Sequence, residues 1–65
     1  MYRKGDIVKE TKNDSQRKWH IIKKQFEGYV LEDDGNFPTY SYIAEDDEGN
    51  IEKFRIDEIT RVREY

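Results

Sequence analysis

Apolar residues in this chain come in short runs separated by polar, turn-forming clusters, a pattern of short strands joined by tight connections. Gly5-Asp6 is followed by Ile7 and Val8, so the segment from Gly5 to Thr11 reads as a first strand. Lys12 to Lys18 is wholly polar and reads as a loop. Trp19 to Glu27 fits two templates. Trp19, Ile22 and Phe26 fall at the i, i+3, i+7 spacing of an amphipathic helix, with Asp14 or Ser15 as a cap and Gly28 at the stop. Against the helix, Trp19, Ile21 and Ile22 favour strands, and nine residues are few for a helix without strong packing. Extended structure is the preferred reading; a short helix within 12–28 is the alternative.

The second half is simpler. Gly28 to Glu32 reads as a compact strand, and Asp33-Asp34-Gly35-Asn36 as the turn that follows it. Pro38 has no backbone donor, so the next strand is expected to begin at about Thr39, with Tyr40, Tyr42 and Ala44 on one face. Asp46 to Asn50 carries a glycine between that strand and Ile51–Ile56, which predicts a hairpin. Asp57 to Ile59 resembles one turn of 3₁₀ helix, and Thr60 to Arg63 a short closing strand. The expected core is Ile7 or Val8, Ile22, Val30, Tyr42 or Ile43, Phe54, Ile59 and Val62.

Sixty-five residues make one domain with a small core. Charged residues reach 42% against 34% hydrophobic, a balance near that of disordered chains, but nine aromatic residues favour a folded domain. There is no cysteine, hence no disulfide framework and no thiolate zinc site. The charged N-terminus lacks a signal-peptide pattern and no apolar run approaches a membrane span, so a cytoplasmic location without membrane contact is expected.

The net charge of −3 conceals a polarity along the chain. Met1 to Glu27 has eight basic residues against four acids, a balance of +4, and Gly28 to Tyr65 has four against eleven, a balance of −7. The basic stretch places Arg17, Lys18, Lys23 and Lys24 around Trp19, the combination of cations and a stacking platform that binds nucleic acid. The acidic second half opposes phosphate binding. Solvated lysines are the plainer reading. The acidic clusters at Asp33-Asp34 and Glu45–Glu48 raise a further reading, a surface that mimics nucleic acid, which so small a net charge supports weakly.

Enzymatic chemistry has little to work with. His20 is the single histidine, Ser15 and Ser41 are the two serines, and no nucleophile motif surrounds either. The loop around Gly49 fails as an EF-hand, because Ala44 and Arg55 fall where the first and last ligands belong. No motif implies a metal or cofactor, and the expected activity is non-catalytic. Phe37 and Tyr40, with Tyr42, Trp19 and Tyr29, supply aromatic surface for an extended peptide or, less readily, a methylated cation.

The opening Gly5-Asp6 strand, the Gly28-Tyr29-Val30-Leu31 strand, the Asp47-Glu48-Gly49-Asn50 turn and the closing Asp57-Glu58-Ile59-Thr60-Arg61-Val62 together resemble small SH3-like barrels of the KOW and Tudor type. The stretch from Thr39 to Val62 is also similar to small barrel proteins of bacilli and their prophages. The resemblance implies a mainly all-β domain over 1–65: a five-stranded SH3-like barrel with a 3₁₀ turn before the last strand and a long basic connection over 11–28. It implies an interaction module that docks on another protein, in a phage setting one of host transcription, replication or defence. The alternative is a KOW-like barrel that binds nucleic acid through the basic insert. The residues expected to bind are Arg17, Lys18, Trp19, Lys23, Lys24, Phe37 and Tyr40.

Overall fold

A computed structural model describes residues 2–12 and 16–62. Five strands, β1 (Ile7–Glu10), β2 (Trp19–Glu32), β3 (Gly35–Asp46), β4 (Ile51–Arg55) and β5 (Ile59–Arg61), form one antiparallel sheet in the order β4-β3-β2-β1-β5. A 3₁₀ turn, Ile56–Glu58, joins β4 to β5. It lies within one residue of the position expected from the sequence. No helix occurs among the described residues, and none is long and apolar enough to cross a membrane.

The sheet is not closed, since β4 and β5 are its two edges. It is nevertheless strongly coiled, because the chain crosses from one edge to the other in three residues of 3₁₀ helix, a rise of only about 6 Å. The turn is tied down by the Thr11 amide, which donates to the Glu58 carbonyl at 2.9 Å, and by Glu58 Oε1, which accepts from the Arg55 amide at 2.8 Å. Coiling brings side chains of all five strands together. Val8, Trp19, Ile21, Tyr42, Ala44, Phe54 and Ile59 are buried, and Trp19 meets Phe54 edge-to-face at 5.2 Å. Tyr2 closes one end, packing edge-on to Tyr42 at 5.5 Å and donating to the Ile59 carbonyl at 3.3 Å.

Trp19 to Glu27 is strand throughout, which decides the helix-or-strand alternative. The helix-like spacing arises from two β-bulges. The register with β3 slips at Ile22 and again at Glu27, so the side chains on the core-side face of β2 are Trp19, Ile21, Lys24, Phe26, Tyr29 and Leu31. Each bulge turns a two-residue step into a three-residue step. The same slips correct the expected core: Ile21 is buried where Ile22 was expected, and Ile22, the extra residue, is half-buried. Val30 falls opposite Phe37 on the other face, beyond the body of the sheet, and is exposed. Val62 is half-buried.

The connection expected over 11–28 is shorter than its sequence suggested, since β2 begins at Trp19. Its Asn13, Asp14 and Ser15 lie outside the described residues, as does Arg63 of the expected closing strand. β3 begins at Gly35 and runs through Pro38 rather than starting at Thr39. β4 pairs with β3 only from Ser41 to Glu45, so at Pro38 no bond to β4 is lost for want of an N–H.

The Asp46–Asn50 hairpin turn forms as expected. Asp46 organises it from a buried position, its Oδ1 accepting from the Glu48 and Asn50 amides at 2.9 Å each and its Oδ2 from Asn50 Nδ2 at 2.8 Å. Gly49 supplies the positive φ of 85° that the turn needs.

Trp19 is the largest buried side chain. Its replacement by alanine should cost about 3–5 kcal/mol, which is as much as so small a core supplies, leaving the variant largely unfolded at room temperature. Urea denaturation followed by far-ultraviolet circular dichroism checks this; a loss under about 1 kcal/mol would remove Trp19 from the centre of the core.

Candidate docking surface

β2 and β3 outlast the rest of the sheet. β1 pairs with β2 only at Trp19 and His20, with one further pair of backbone bonds at Ile21, and β4 leaves β3 at Ser41. The remainder, Lys23–Glu32 paired with Gly35–Tyr40, is a two-stranded arm, which accounts for a molecule 39 Å long and 20 Å across. An isolated two-stranded hairpin is marginal in water. This one is braced where it leaves the sheet.

The brace is polar and built on the second bulge. Glu27, the extra residue, accepts from Lys53 Nζ of β4 at 2.6 Å and from the Ser41 hydroxyl of β3. Gln25 Nε2 donates to the same carboxylate at 3.4 Å. Gly28 leaves the bulge at φ 119°, and its carbonyl accepts from Thr39 Oγ1 at 2.9 Å. Three strands are thus tied through one carboxylate. The Lys53 bond, followed by the Ser41 bond, holds the Glu27 carboxyl below the ordinary glutamate range, outweighing the opposing effect of desolvation.

Beyond the brace the arm is apolar on both faces. Phe26, Tyr29 and Leu31 share the core-side face with Tyr40 and Pro38, and Val30 and Phe37 share the other. Exposure rises toward the tip, from 51% at Phe26 to 69% at Tyr29 and 80% at Leu31. Phe26 packs edge-on against Tyr29 at 5.3 Å and against Tyr40 at 5.8 Å, and Lys24 Nζ stands 4.1 Å from the centre of the Tyr40 ring.

Where the arm meets the 3₁₀ turn there is an apolar groove of about 380 Å³, lined by Pro38, Tyr40, Tyr42 and Ile56, with Arg55 and Asp57 at its rim. It lies along β3 at the point where β4 has departed, so the outer edge of β3 from Gly35 to Tyr40 has no strand beside it among the described residues.

Of the residues expected to bind, Lys24 and Tyr40 meet, and Lys23 and Phe37 lie on the same arm, exposed. Arg17, Lys18 and Trp19 are at the opposite end of β2. Trp19 is 2% exposed, which corrects its expected role as a stacking platform: its Nε1 is buried with no hydrogen-bond partner, and its ring is core. Arg17 lies 5.7 Å from the centre of that ring and 3.6 Å from Asp46. Phe26, Leu31, Pro38 and Ile56 are surface residues that sequence reasoning did not single out. The three-residue step from Phe26 to Tyr29 is their one signal, and it is legible only once the bulge is known.

Among the described residues, no group of three or more His, Asp or Glu side chains is placed to hold a metal ion. Comparison with protein-family profiles, curated proteins and solved structures returns no match.

Asp46 is held below the ordinary aspartate range, chiefly by the Asn50 side chain and then by the Asn50 and Glu48 amides and Arg17, against its desolvation. Both Asp46 and Glu27 therefore have folded-state pKa values below their unfolded ones. Their contributions are complete above about pH 4.5 and are lost as the pH falls through the folded values. The melting temperature should be level from about pH 7 to pH 5 and fall steeply below about pH 4. Calorimetry on the Glu27→Gln, Asp46→Asn double variant should show a lower plateau and a shallower acid slope; an unchanged slope would remove these two groups as its source.

Proposed function

We propose that this chain is a non-catalytic interaction module, a small SH3-like barrel of KOW or Tudor type whose groove receives an extended apolar segment of another protein. The observation that carries the reading is the groove between Tyr40, Tyr42, Pro38 and Ile56, apolar and flanked by an unpaired strand edge. An extended segment laid there would gain main-chain hydrogen bonds from β3 and apolar contacts from the aromatic side chains. The strand order, with β1 between β2 and β5 and a 3₁₀ turn leading into the last strand, supports the barrel assignment. The similarity to barrels of bacilli and their prophages extends the proposal to a host protein of transcription, replication or defence as the partner, in the cytoplasm. Nucleic-acid binding through the basic insert is the lesser reading, since burial of Trp19 removes its stacking platform.

The test is capture from nuclease-treated lysate on the immobilised protein, compared with Ile56→Glu. Ile56 is 52% exposed, so its replacement should leave the melting temperature within a few degrees of the parent. A protein partner held at high salt by the parent and lost by Ile56→Glu is expected. Binding that disappears with nuclease and falls steeply with salt would overturn the proposal in favour of phosphate contacts.

A further inference from the structure

From Ile22 to Glu32 the edge of β2 that faces away from β3 has no strand beside it among the described residues. This edge lies on the opposite side of the arm from the groove. Natural sheets keep exposed edges short, or interrupt them with proline or charge, because a long apolar edge is a template for another chain. Here the edge is long and carries Phe26, Tyr29, Val30 and Leu31, all exposed. It has no proline, and its charges sit only at its ends.

The order of those charges identifies the partner. Reading along the arm, Lys23 and Lys24 stand at the base, the apolar residues occupy the middle, and Glu32, Asp33 and Asp34 stand at the tip. Gly28 lies midway, four residues from Lys24 and four from Glu32. A sequence that runs basic, apolar, acidic about its own midpoint is complementary to itself when reversed. Lysines on a lone edge would discourage pairing with an arbitrary strand. Against a reversed copy of the same edge they face carboxylates.

We infer that two copies of this chain associate arm to arm, β2 edge against antiparallel β2 edge, about a two-fold axis near Gly28. Lys23 and Lys24 of each copy then face Glu32 and Asp33 of the other, while Phe26 and Leu31 are brought side by side across the axis. The contact is isologous, so the charge match occurs twice. The bulge at Glu27 divides the edge into two runs and leaves Gly28, where nothing lies within 4 Å of a β-carbon position, at the closest approach of the two backbones. The paired arms leave both β3 grooves open, so the dimer presents two docking sites and can hold a repetitive partner by avidity.

Sedimentation equilibrium over about a hundredfold range of concentration tests this, with the parent expected to move from 7.9 kDa toward twice that mass and to dissociate more readily as salt is raised. The charge-reversed variants Lys23→Glu, Lys24→Glu and Glu32→Lys, Asp33→Lys should each be monomeric, because both contacts in either homodimer then become repulsive. Mixed one to one they should restore the doubled mass, because in the heterodimer both contacts are again of opposite sign. Circular dichroism establishes that each variant is folded, and all four positions are exposed. A parent that stays monomeric, reversed variants that still dimerise, or a mixture that stays monomeric would each overturn the inference. Ile56→Glu should dimerise as the parent does, so failure of the groove reading and failure of the dimer are separately visible.

Discussion

A turn of three residues, Ile56–Glu58, carries the chain from one edge of the sheet to the other, and the rest of the fold follows from that restriction. A flat five-stranded sheet would hold its outer strands roughly 19 Å apart at the usual inter-strand spacing, which so short a connection cannot span. The sheet must coil until β4 and β5 are near neighbours. Coiling turns one face into an interior, and that interior is just large enough for Trp19, Tyr42, Phe54 and four smaller side chains. The bonds from Thr11 to Glu58 and from Val62 to Ile7 then hold the turn against β1, so both sides of the coil are fastened to one short strand.

The same restriction produces the arm. A core filled by seven side chains needs only a few residues of each strand, and β1, β4 and β5 are accordingly three to five residues long. β2 and β3, at fourteen and twelve residues, continue past the point where their neighbours have done their part. The two bulges reconcile the halves: each adds curvature and twist where a strand passes from the coiled body into the straighter arm. At the second bulge the displaced residue is Glu27, whose carboxylate gathers Lys53, Ser41 and Gln25 into the brace.

What was legible in the sequence was what local chemistry decides. Turn formers marked the Asp46–Asn50 hairpin and the 3₁₀ turn, and β-branched residues marked β1 and β4. Hidden from it was everything that depends on register. A residue inserted at a bulge reverses the face of all that follows, so Ile21 rather than Ile22 reached the core, and Val30 was carried out of it. Trp19 misled for a related reason: its basic neighbours suggested a wet, stacking aromatic, whereas its pairing opposite Asp46 placed it under Arg17 and against Phe54. Pro38 was read as a strand breaker because its neighbours were unknown; with β4 already gone, its missing donor costs no bond to β4.

The electrical polarity of the sequence acquires a spatial meaning only through the arm. In the body, strands of the basic and acidic halves interleave, and their charges meet in pairs such as Arg17 with Asp46, His20 with Glu45 and Arg61 with Asp6. In the arm the crossover from basic to acidic is stretched along a single strand, with apolar residues between the two signs. A chain of this size has little core to spare, yet Phe26, Tyr29, Leu31 and Phe37 all lie outside it. Side chains of that kind, held on a braced scaffold and exposed on both faces, lower the stability and solubility of a monomer. Such an arrangement is consistent with a surface whose apolar residues become buried in a complex, with the charges at either end setting the direction in which the partner lies.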